Sequence, residues 1–132
     1  MAAEKRPRVL VVDDDRELLS LVNTLLTRVG IEVVTAETAA AAAQVLRQTP
    51  LPNLVILDLM LPDVSGLELL RQIRAKDVFD SLPVVILSAL ADPNEIRDGL
   101  EAGADRYVTK PYLSSNLTGV VQDLLRSGRK QS

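Results

Sequence analysis

The sequence contains neither cysteine nor histidine. Without cysteine there are no disulfides and no thiolate metal sites. Without histidine there is no Ser-His triad, no His-ligated zinc and no imidazole general base. An excess of positive charge is missing as well. The formal net charge is −3, which gives no electrostatic reason for the domain to bind DNA or RNA directly. Met1 to Arg8 lacks the apolar stretch of a signal peptide, and no apolar run approaches the ~20 residues that span a bilayer. No membrane partner and a cytoplasmic location are therefore expected. What remains for chemistry is carboxylates, hydroxyls, lysines and backbone amides.

What is present is an ordinary globular mixture, 47% apolar and 25% charged in 132 residues, enough for one core without covalent staples. Val9 to Val12, Leu54 to Leu57 and Val84 to Leu87 are continuous apolar runs. They predict strands buried on both faces, as in a parallel sheet. Ile31 to Thr35 and Tyr107 to Thr109 are weaker strands. Helical patterns lie between them. Leu18, Leu19, Val22, Leu25, Leu26 and Val29 share one helical face, with Gly30 placed to cap it. Ala39 to Arg47 is alanine-rich, and Gly66 to Arg74 repeats leucine and isoleucine at helical spacing. Asp92-Pro93-Asn94-Glu95 reads as an N-cap, a first-turn proline and a capping-box partner for a helix ending near Ala102. A fifth helix is expected from about Ser114 to Arg126. Five alternating β-then-α units predict a doubly wound α/β domain with helices on both faces. Residues 9–126 are expected to form this single domain, with an N-terminal extension expected over 1–8 and a flexible tail over 127–132.

In open parallel sheets, ligands bind beyond the carboxyl ends of the strands. Strand one is followed there by Asp13-Asp14-Asp15, strand three by Asp58, strand four by Ser88 and strand five by Lys110. Strand two delivers only Ala36 and Glu37, as an edge strand far from the site would. Asp15 is positioned to cap the first helix. Asp13, Asp14 and Asp58 need a different explanation, because two carboxylates ~4 Å apart repel by about 4 kcal/mol at an effective dielectric of ~20. A hard divalent cation among them would relieve this, and magnesium prefers such oxygen donors. Asp58, flanked by leucines at the end of a core strand, is costly unless compensated. A carboxylate can also act as a nucleophile toward phosphorus. Lys110 and the cation would then neutralise phosphoryl oxygens, and Ser88 would donate a hydrogen bond to them.

The segments Val11 to Asp15, Leu57-Asp58-Leu59-Met60-Leu61-Pro62 with Gly66, Ile86-Leu87-Ser88-Ala89, and Gly103-Ala104-Asp105 through Lys110-Pro111 resemble the receiver domains of two-component response regulators. The likeness runs in order from about Arg8 to Arg126. It implies the CheY-like form of the flavodoxin-like fold, (βα)5 with strand order 2-1-3-4-5. It implies a protein that takes a phosphoryl group from the phosphohistidine of a sensor histidine kinase, a switch rather than a turnover enzyme. The resemblance assigns Asp58 as acceptor, Asp14 as direct ligand of Mg2+ or Mn2+, Asp13 as a ligand through water, and the Met60 backbone carbonyl as a further ligand. Ser88 becomes the switch hydroxyl, Tyr107 the switch aromatic and Lys110 the phosphoryl-binding amine. Ala89 fits the family's small residue beside the site, and Lys110-Pro111 its cis peptide. Met60 and Leu90 occupy positions that tune loss of the phosphoryl group, and both are apolar.

Other readings fit less well. Aspartate-dependent phosphohydrolases carry an Asp-x-Asp after strand one, which would make Asp13 the nucleophile and Asp15 the acid. That reading leaves Asp58 unexplained, and Arg16 and Glu17 are foreign to that family's pattern. Three aspartates would repel the phosphate of a flavin-type cofactor. A receiver-like module that is never phosphorylated has no need of the full site set found here. The expected partners are a sensor kinase and either a downstream protein or an output domain outside this chain, met through helix four, strand five and helix five. Receivers that dimerise ahead of winged-helix domains usually carry an acidic pair after Gly-Ala and a glutamate and an arginine early in helix five. Here those positions hold Asp105-Arg106, Asn116 and Val120, so that salt-bridge set is incomplete and a monomer or weak dimer is expected.

Overall fold

A computed structural model of the chain describes residues 6–89, 92–110 and 114–129. Five parallel strands, β1 (Arg8–Val12), β2 (Glu32–Ala36), β3 (Leu54–Leu57), β4 (Val84–Ser88) and β5 (Arg106–Thr109), form one sheet in the order β2-β1-β3-β4-β5. Between and after them run α1 (Arg16–Thr27), α2 (Ala39–Leu46), α3 (Gly66–Arg74), α4 (Pro93–Glu101) and α5 (Ser114–Ser127), with a 3-10 turn at Asp77–Phe79. The strand order reverses between β1 and β3, so the expected crevice opens there.

The continuous apolar runs have a direct cause. β1, β3 and β4 alternate their side chains between two separate cores. Leu10, Val12, Val55, Leu57, Val84 and Ile86 pack with α2 and α3 on one face. Val9, Val11, Leu54, Ile56, Val85 and Leu87 pack with α1 and α5 on the other. Each fully buried side chain contributes about 1.5–3 kcal/mol. α4 joins the α2–α3 face through Gly99, where an added Cβ would lie 2.5 Å from Ile86 Cδ1.

Several expected boundaries move. α1 ends at Thr27, so Val29 falls beyond its apolar face and is exposed, while Gly30 takes the left-handed φ of +83° that turns the chain into β2. β2 is Glu32–Ala36 rather than Ile31 to Thr35, an edge strand that is only partly buried. Asp92 caps α4 through the Asn94 amide at 2.7 Å, and among the described residues Glu95 does not return the second bond of a capping box. Ordered structure also passes the expected limit at Arg126. Ser127 closes α5, the Gly128 amide donates to the Leu124 carbonyl, and the Arg129 guanidinium meets Asp105 at 2.9 Å and the Asp80 carbonyl at 2.9 Å. Asp105, a half-buried residue whose side chain is only 7% exposed, also accepts from Arg74 and from the Val84 amide. Burial and the neighbouring Arg129 charge push the Arg74 pKa down to about 10.

Candidate functional site

The hydrogen-bond ladder does not stop where the strands stop. The Asp13 amide donates to Ala36, the Asp58 amide to Val12 and the Lys110 amide to Ser88, at 3.0, 3.0 and 2.9 Å. These bonds lock the backbone of each residue that follows β1, β3 and β5, so the side chains converge on one rim. Asp13, Asp58 and Ser88 are buried there, while Asp14 is exposed. Lys110 Nζ lies 2.9 Å from Asp13 Oδ2 and 3.3 Å from Asp58 Oδ2, bridging both carboxylates. The Asp58 Oδ1 atom accepts from the Met60 amide at 3.2 Å, and Asp13 Oδ1 from the Asp15 amide at 2.9 Å.

Burial raises the Asp13 pKa above the usual carboxylate range and the Asp58 charge adds to this, against the pull of the Asp15 amide and Lys110. Burial works to lower the Lys110 pKa, and its contact with Asp13 together with the charges of Asp58 and Asp13 overcomes it, leaving the ammonium above the ordinary lysine value. Lys110 is thus held charged by the acids it faces. Tyr107 lies in β5 and is partly buried. Burial raises its pKa, while a side-chain hydrogen bond with Ser88 pulls the other way.

The donor set fits a hard cation. One oxygen from each of Asp13, Asp14 and Asp58 lies within 4.8 Å of the others. Asp13 Oδ2 is buried and, although Lys110 Nζ is 2.9 Å away, no donor among the described residues meets it in hydrogen-bonding geometry. Excess negative charge with an unsatisfied inward oxygen is what an oxygen-seeking metal ion answers. Asp15 is spent differently. Its Oδ1 accepts from the Glu17 and Leu18 amides as the N-cap of α1, the role expected of it.

Of the remaining residues expected here, Met60 sits at the rim with its side chain 62% exposed, and Ala89 is exposed beside Ser88. Leu90 and the Lys110-Pro111 peptide lie outside the described residues. A surface cavity of about 790 Å3 lies at the far, amino end of the strands against Pro7, Arg8, Glu32 and Pro83, and holds none of these groups. One carboxylate went unassigned in the sequence. Asp63, in the loop after Asp58, accepts from the Ala39 and Ala40 amides at the start of α2, at 3.0 and 2.9 Å. These bonds hold its pKa below the ordinary carboxylate value. Its partners lie more than twenty residues away in sequence, so no local pattern announces it.

Residues 9–122 match the family described as response regulator receiver domain. The phosphate regulon transcriptional regulatory protein PhoB of Rhizobium meliloti is 38% identical over 95% of this chain and 55% of its own length. The chain spans about half the length of the curated relatives it matches. Among solved structures, a putative response regulator from Chloroflexus aurantiacus superposes with a TM-score of 0.87 at 31% identity, over 92% of this chain and 99% of that one. The BeF3-activated DrrB receiver domain does so with a TM-score of 0.79 at 35% identity, over 92% and 99%. With the strand order and the acidic rim already in hand, these likenesses establish that the chain belongs to the response regulator receiver domains of two-component signalling.

Proposed function

We propose that the domain accepts a phosphoryl group on Asp58 from the phosphohistidine of a sensor histidine kinase. Mg2+ or Mn2+ would be held by Asp13, Asp14, Asp58 and the Met60 backbone carbonyl. The observation that carries this reading is the buried Asp58 carboxylate, bridged to Asp13 by Lys110 at 3.3 and 2.9 Å beside a donor set suited to a hard cation. An Asp58 oxygen forms the new O–P bond while the donor's P–N bond breaks, the electron pair returning to the imidazole. When bound, the cation neutralises phosphoryl oxygens and relieves the repulsion among the three carboxylates. Lys110, already charged, pairs with a phosphoryl oxygen, and the Ser88 hydroxyl donates to another.

In turning toward the phosphoryl group, the Ser88 hydroxyl would exchange its hydrogen bond with Tyr107 for one to a phosphoryl oxygen. The tyrosine ring is then free to turn, and the α4–β5–α5 face changes with it. That face would carry output to a protein partner, or to a further domain of a longer protein, with the receiver a cytoplasmic monomer or weak dimer. Arg106 pairs with Asp123 inside the chain at 2.8 Å. The domain is a switch reset by hydrolysis of its aspartyl phosphate, not a turnover enzyme.

The test is phosphorylation by a small acyl phosphate with and without Mg2+, followed by intact-mass spectrometry. Wild type should gain one phosphoryl group only when Mg2+ or Mn2+ is present. Equal yield in chelator would contradict the metal reading, and equal yield in Asp58→Asn would contradict the acceptor.

A further inference from the structure

The loop that follows the acceptor is fastened at its base and at its apex by different means. At the base, the Gly66 amide donates to the Leu59 carbonyl at 2.8 Å, and the backbone closes so tightly that a Cβ on Gly66 would lie 2.0 Å from the Asp58 carbonyl oxygen. Only glycine permits that approach. The apex, Pro62 to Ser65, is exposed. Among the described residues, the hydrogen bonds that leave Leu61 to Val64 for another element are the two from the Ala39 and Ala40 amides to Asp63. α2 already has its own cap, Thr38, whose Oγ1 accepts from the Ala41 amide at 3.0 Å. Asp63 therefore takes two amides that Thr38 leaves over, using the preference of helix N-termini for negative charge.

We propose that Asp63 is a positioning residue for the phosphoacceptor site. By strapping the β3–α3 loop to α2, it holds the Met60 backbone where a cation bound by Asp13, Asp14 and Asp58 would meet it. The inference rests on the function proposed above and goes beyond it, because Asp63 touches neither metal nor phosphoryl group. Coupling through such a strap is reciprocal. Loading the site with metal steadies the loop and so protects the Ala39 and Ala40 amides, and releasing those two amides from Asp63 weakens metal binding. Residues that orient metal ligands in this way typically contribute 10–100-fold to metal affinity.

Asp63→Ala and Thr38→Ala separate this role from helix capping, since each removes a cap from α2 but only the first releases the loop. Mg2+ affinity by calorimetry and amide exchange at Ala39 and Ala40 are the readouts, on the full chain. Asp63→Ala should bind Mg2+ roughly tenfold more weakly and lose any Mg2+-dependent protection at those amides. Thr38→Ala should lower the melting temperature while keeping wild-type Mg2+ affinity. Equal loss of affinity in both variants, or no loss in Asp63→Ala while wild type binds Mg2+ and accepts phosphoryl, overturns this inference alone. Failure of wild type to bind Mg2+ and take the label overturns it together with the proposed acceptor role.

Discussion

On the proposed function, Met60 would set the timing of this site. Its side chain is 62% exposed at the rim beside Asp58, where hydrolysis of an aspartyl phosphate needs a water in line with the O–P bond. A thioether neither orients that water nor accepts its proton, and positioning and proton transfer of that kind are typically worth ~10²–10⁴-fold. The phosphorylated state should therefore be long-lived, and Met60→Asn should shorten its half-life by roughly tenfold, followed by loss of the phosphoryl mass over time. An unchanged half-life would show that Met60 only covers the loop. At this scale Asp13, Asp58 and Ser88 were legible because each directly follows an unambiguous apolar run, and Lys110 because it follows a weaker run that ends at the same rim. Asp63 and the Arg74–Asp105–Arg129 cluster were not. Their contacts join segments far apart in sequence, and a charged residue in a polar loop looks the same whether it is solvated or bonded.

Among the elements, the β3–α3 connection is the most exacting. Gly66 opens α3, yet an added Cβ there would strike the Asp58 carbonyl oxygen and come 2.8 Å from Leu59 Cα, both backbone atoms that cannot swing aside. Overpacking of this kind typically costs 1–3 kcal/mol. Gly66→Ala should lower the urea midpoint accordingly and slow phosphorylation by displacing the loop. A variant with wild-type stability and rate would mean that the loop shifts freely. α3 itself was easy to read as a helix, since Gly66–Arg74 has the spacing, and the structure adds Ser65 as its N-cap. Where reading failed, at the end of α1 and the start of β2, the reason is physical. Val29 continues the apolar pattern, but α1 has already ended at Thr27 and the chain turns just after Val29, at Gly30, and an edge strand such as β2 is buried too little to fix its own limits.

For the whole molecule, parallel packing on both faces explains why the fold was legible from five apolar runs, and why the reactive groups meet. Strand order puts β1 and β3 side by side, and the two cores hold them in register at Val12 and Leu57, one residue before Asp13 and Asp58. The proposed switch extends across the molecule from this point. Beryllofluoride with Mg2+ should change amide exchange in α4 and in β5 around Tyr107, and leave β1 and β3 unaltered. No change in α4 and β5 would disconnect the acceptor from the output face. The central claim is the identity of the acceptor, and Asp13 is the one rival, buried beside Asp58 and facing the same ammonium. Borohydride reduction of the phosphorylated protein converts an aspartyl phosphate to homoserine, which peptide mass spectrometry then locates. The account predicts homoserine at position 58 and none at 13. Homoserine at 13, with Asp58 intact, would contradict it.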